Sequence, residues 1–134
     1  MKSVIAGIAF AALGASVAQA QNCVENFTNS GGPAPFITTY DVFPGVSTAK
    51  AIDNLARAAQ VQEGWLSIRV DRRLGLITAQ NDGARSGRTQ EVKIAVRKQG
   101  KGARVDISYA FQPDQLPAGN FRGDVCRIIG NADR

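Results

Sequence analysis

The chain has 134 residues, 16 Lys and Arg against 11 Asp and Glu, a net charge of +5, and no histidine. The missing imidazole excludes Ser-His-Asp catalysis, a histidine-activated cysteine and any histidine metal site. The two cysteines, Cys23 and Cys126, match neither a zinc cluster nor a Cys-x-x-Cys redox pair.

Residues 1–20 read as a signal peptide. Lys2 starts it, an apolar run from Val4 to Leu13 follows, and Ala18-Gln19-Ala20 supplies the small side chains that a signal peptidase pocket accepts. The stretch from Val4 to Ala18 is short of the roughly 20 apolar residues that span a bilayer. No membrane span is therefore expected after cleavage. Lipidation at Cys23 would want a small residue beside the cysteine and an aliphatic one three before it, whereas Ala20-Gln21-Asn22 precede it. The expected location is the periplasm of a Gram-negative bacterium, or the medium. In that compartment the two cysteines read as one disulfide, Cys23–Cys126. Asn26-Phe27-Thr28 matches a glycosylation acceptor and is taken as chance, because the leader is bacterial in style. Removing 20 of 134 residues leaves 114, the size of one domain, with 15 basic and 11 acidic residues once Lys2 is gone.

Residues 21–35 are polar and turn-rich, ending in Gly31-Gly32-Pro33-Ala34-Pro35, and predict an irregular arm pinned by Cys23. Phe36 to Phe43 is β-branched and aromatic, so it predicts a strand that Pro44-Gly45 ends. Ser47 is placed to cap a helix over 48–61, with Ile52, Leu55, Ala56 and Ala59 on its apolar stripe. Lys50, Asp53, Asn54, Arg57 and Gln60 would face water, and Gly64 would supply a left-handed stop.

Alternation then predicts four strands. In the first, Trp65 to Val70, the residues Leu66, Ile68 and Val70 would face the core and Trp65, Ser67 and Arg69 the solvent. The second runs from Leu74 to Gln80, and a polar loop, Asn81 to Gly87, follows it. The third, Gln90 to Arg97, would bury Val92, Ile94 and Val96. After a hairpin around Gly100, the fourth, Arg104 to Phe111, would bury Val105, Ile107, Tyr109 and Phe111. Beyond Pro113 and Pro117, Phe121, Val125, Ile128 and Ile129 predict a second helix, with Cys126 at the edge of its stripe and Gly130 at its end. Residues 36–134 thus predict a single α+β domain, a two-layer sandwich. About five antiparallel strands would carry two helices on one face, in the order β-α-β-β-β-β-α.

The candidate site residues lie on the solvent face of that sheet. Arg69, Lys93, Arg97 and Arg104 would project from it, with Arg72, Arg73, Arg85 and Arg88 in nearby loops. Such a patch suits an acidic protein, anionic lipid or a glycan phosphate. Glu91, Asp106 and Asp71 interleave with it, so cross-strand pairing is the simpler account. Trp65 would stand beside these cations, either as a binding anchor or covered by the arm. Gly83 to Arg88 lacks the spacing and the Lys-Ser/Thr pair of a phosphate loop. Glu63, Asp71, Asp82, Glu91 and Asp106 converge on no common pocket. Nucleic acid is not an expected partner.

The stretch Ala51 to Gln80 joins a helix, Glu63-Gly64-Trp65, a strand, the charged turn Asp71-Arg72-Arg73, and Leu74-Gly75-Leu76-Ile77-Thr78-Ala79. It resembles small bacterial envelope domains, among them the helix-grip domain in an accessory lipoprotein of the outer-membrane β-barrel assembly machine. The resemblance implies a helix packed across an antiparallel sheet, and no catalytic residues. The expected function is a non-catalytic protein-interaction module of the cell envelope, without cofactor or metal, meeting an envelope protein through the face around Trp65. The alternative is a carrier of a small apolar ligand or lipid, held in a groove between helices and sheet that Phe36, Tyr40, Tyr109, Phe111 and Phe121 would line.

Overall fold

The computed structural model describes residues 19–82 and 87–134. The leader up to residue 18 and residues 83–86, Arg85 among them, lie outside the described residues. Helix α1 (Gln19–Glu25) and the two-residue strand β1 (Thr28–Asn29) come first. Strand β2 (Phe36–Phe43) and helix α2 (Thr48–Val61) follow, then strands β3 (Trp65–Asp71), β4 (Leu76–Asn81), β5 (Gln90–Gln99) and β6 (Gly102–Ala110). Helix α3 (Phe121–Ile129) runs into a short 3-10 helix, Gly130–Asp133. The strands form one six-stranded antiparallel sheet in the order β1-β2-β6-β5-β4-β3, and the fold is α+β.

The predicted arm is more ordered than its composition implied. Thr28 pairs with Thr38 and Asn29 with Ile37, which adds a sixth strand. A seven-residue helix is too short to persist alone, and tertiary bonds hold α1. The Thr39 hydroxyl donates to the Cys23 carbonyl at 2.5 Å, and Asn26 Nδ2 donates to the Tyr40 carbonyl at 3.1 Å. The disulfide Cys23–Cys126 joins α1 to α3 across 103 residues of sequence.

Helix α2 keeps its predicted limits. The Ser47 side chain accepts from the Lys50 amide at 3.1 Å, and the helix ends one turn before Gly64, whose φ is +82°. Its stripe is buried as expected, with Leu55 and Ala59 fully enclosed. Asn54 departs from the prediction. It is buried, because the 3-10 helix folds over it and the Ala132 carbonyl accepts its side-chain amide at 2.9 Å. Gly130 does not stop the chain in a left-handed turn. Its φ is −61°, and the chain continues into that 3-10 helix, burying Ala132.

The core lies between the helices and one sheet face. Phe43, Ile77, Val92, Ile94, Val105 and Ile107 supply that face, and Leu55, Val125 and Ile129 meet them. Each such side chain contributes roughly 1.5–3 kcal/mol on burial. The alternation in β5 and β6 matches the prediction throughout.

Strand β3 does not. Trp65 pairs with Asn81 and Leu66 with Gln80, but the register shifts before Arg69 pairs with Thr78. Ser67, at φ 54°, takes up the extra residue as a bulge. A bulge reverses the phase of alternation. Trp65 therefore turns into the core at 7% exposure and Leu66 turns out at 53%, while Ile68 and Val70 stay on the inner side, half-buried.

Candidate functional site

Pairing brings the predicted cations onto one open face. Arg69 faces Thr78, Thr78 faces Lys93, and Lys93 faces Ser108, while Arg97 faces Arg104 two rows along. They are not equivalent. The Arg104 guanidinium grips Asp106 through Nε at 3.1 Å and Nη2 at 3.0 Å, and it stacks 3.8 Å above the Tyr40 ring. That hydrogen bonding raises the Arg104 pKa further above its ordinary value. Arg97 reaches the same carboxylate at 3.9 Å. Those two cations are spent on the sheet itself. Arg69 and Lys93 are exposed and make no ion pair among the described residues. Of the loop cations, Arg72 pairs with Asp53 on α2, and Arg88 donates to the Pro113 carbonyl at 2.5 Å.

Trp65 is not on this face. It lines a groove of about 390 Å³ between α3, the sheet and the loop that precedes α3. Tyr109, Phe111, Phe121, Val125 and Ile128 line it too, with Leu116 to Ala118, Glu63 and Asp124 also bordering it. Of the five apolar residues expected in such a groove, Tyr109, Phe111 and Phe121 are there. Phe36 and Tyr40 are not, because β2 turns them to the open face.

The aromatic wall is well ordered. Phe121 meets Tyr109 edge-on at 5.0 Å between centroids and Phe111 at 5.7 Å, and Tyr109 stacks on Phe111 at 6.4 Å. Such pairs prefer these offset and edge geometries because ring edges are positive and faces negative. Burial, then the charge of Asp124, pushes the Tyr109 hydroxyl far above its ordinary pKa, and the Trp65 indole offsets this only in part. The hydroxyl is therefore a neutral donor at physiological pH. A second hollow of about 360 Å³ shares Pro117 and Phe121 with the first and is bordered by Phe27, Ile37 and Arg122.

The carboxylates considered for catalysis are dispersed. Asp71 accepts the Leu74 amide in a turn, Asp82 accepts that of Gly87, Asp106 is held by Arg104, and Glu91 is exposed on the open face. Among the described residues no three Asp, Glu or Cys side chains gather where a metal could be held. No helix among them is long and apolar enough to cross a membrane.

No protein-family model matches the chain, and no curated protein is significantly similar to it.

Proposed function

We propose that the protein is an exported, non-catalytic binding domain of the bacterial cell envelope, which takes a small apolar ligand in the groove beneath α3. The observation that carries this reading is the bulge at Ser67, which moves Trp65 from the open face into the groove wall. The groove combines an aromatic lining, a neutral Tyr109 hydroxyl and a volume within the roughly 300–1,000 Å³ of small-molecule sites. The leader and the disulfide support export.

Trp65 is the only tryptophan, so its emission reports on the groove. Native mass spectrometry of protein from its own envelope is expected to find a bound small molecule. Adding that molecule back to stripped protein should shift Trp65 emission, and Phe121→Ala should weaken the effect. A single unloaded mass, with no emission change across an apolar ligand panel, refutes the ligand reading.

The second reading is a protein-interaction module that uses the open face. Arg69 and Lys93, which make no ion pair among the described residues and lie on the same face as the half-exposed Leu66, favour it. An envelope partner captured by cross-linking and lost in Arg69→Glu/Lys93→Glu would support it.

A further inference from the structure

Among the described residues Asp41 is the one buried acid in the core. It projects from the inner side of β2 and is 1% exposed. Its Oδ1 accepts the Val42 amide at 2.9 Å, and its Oδ2 has no hydrogen-bond partner among the described residues. A carboxylate left in that state is costly, since burial removes water and backbone amides replace it only in part. Among the described residues no Lys or Arg pairs with it, and the charged neighbour whose field reaches it is another acid, Asp133 on the 3-10 helix.

What lies over Asp41 is α1. The bond from Thr39 to the Cys23 carbonyl holds that helix on β2, the disulfide ties it to α3, and the Cys23 amide is close enough to act on the Asp41 carboxyl. Gln21 lies two residues before Cys23 in the same helix, an axial step of about 3 Å. Cleavage after Ala20 would make the nitrogen of Gln21 the chain's new α-ammonium. We propose that Asp41 is the built-in receptor for that ammonium, so that removing the leader completes the core with a buried ion pair. The inference rests on the reading that the leader is cut after Ala20. It makes export processing and full stability one event.

With the ammonium absent, burial first and Asp133 last raise the Asp41 pKa, against two backbone amides. A raised acid adds stability below its unfolded pKa of about 4 and loses it as pH rises. Asp41 is then a liability at pH 7. With the ammonium in place, the same carboxylate is an asset. The sign of one substitution therefore decides the matter.

The mature protein would be purified from its own envelope and its first residue read by mass. A sister form would carry three extra residues between Ala20 and Gln21, which moves the ammonium away after cleavage. Asp41→Asn at pH 7 is expected to lower Tm by about 5 °C in the mature form and to raise it in the extended one. A change of the same sign in both overturns the proposal, as does a mature chain that starts elsewhere than Gln21. The first result overturns the pairing alone, and the second overturns the cleavage reading beneath it.

Should Asp41→Asn fail to fold, the unsubstituted mature protein gives two further readouts. Pairing is expected to raise the Gln21 α-amine pKa above its usual 7.7–8.0, read from the pH dependence of its acylation by peptide mass. A value within or below that range overturns the proposal. A neutral terminal glutamine amine attacks its own side-chain amide carbonyl, closing a lactam and releasing ammonia. An amine held protonated by Asp41 cannot, so the open form is expected and a cyclised terminus in the folded protein overturns the proposal.

Discussion

Replacing both cysteines, Cys23→Ala/Cys126→Ala, tests how this small domain is held together. The bond closes a loop with a sequence separation of 103. Freeing a loop of about 100 residues returns about 4.7 kcal/mol of chain entropy to the unfolded state, and native disulfides in small exported domains are typically worth about 2–5 kcal/mol. The folded state also loses the two sulfurs from a site where Cys23 is fully buried and Cys126 is 4% exposed, which leaves a small void. Since α1 keeps its bonds from Thr39 and Asn26, the sheet and groove are expected to survive. The expected loss is about 3–5 kcal/mol, a large part of the roughly 5–15 kcal/mol that domains possess. At about 4 °C per kcal/mol for a domain of this size, Tm should fall by about 12–20 °C. Urea unfolding followed by Trp65 fluorescence and circular dichroism measures the difference. The m-value should rise, because an unlinked unfolded chain exposes more surface. A loss below about 1 kcal/mol with an unchanged m-value refutes the reasoning, since the unlinked chain would then be confined already.

Four other substitutions probe the frame and the open face. Gly75→Ala should destabilise by about 2 kcal/mol or more in urea unfolding, because φ is +67° and a Cβ would overlap the Val96 carbonyl oxygen across the β4–β5 edge. Leu55→Ala, at a fully buried position on the α2 apolar stripe, should cost about 2–5 kcal/mol in the same assay without changing α2 by circular dichroism. Arg104→Ala should cost about 1 kcal/mol, since its pair with Asp106 and its stacking on Tyr40 are partly exposed, whereas Arg69→Ala should leave stability unchanged. Equal losses from the two arginines would refute the distinction drawn between them.

Much of the fold was legible because it is written in local periodicity. The spacing of Ile52, Leu55, Ala56 and Ala59, and the alternation through Val92, Ile94, Val96, Val105 and Ile107, each require only neighbours along the chain. Capping by Ser47 is equally local. The groove was half legible. The sequence paired Tyr109, Phe111 and Phe121 correctly with a helix–sheet cleft, yet it added Phe36 and Tyr40, which β2 presents to the other side.

With only two cysteines in the chain, the sequence by itself determined the Cys23–Cys126 bond, along with the α+β class and the open basic face. Tertiary structure alone decided where Trp65 points, because the bulge at Ser67 depends on how β3 meets β4, and no glycine in Trp65-Leu66-Ser67-Ile68 announces it. It also decided that Asn54 is buried, since the carbonyl that satisfies it comes 78 residues later. Asp41 belongs to the same class. Its place in an alternating strand is readable, but its isolation among buried atoms is a property of what packs over it, and only long-range contacts carry that information.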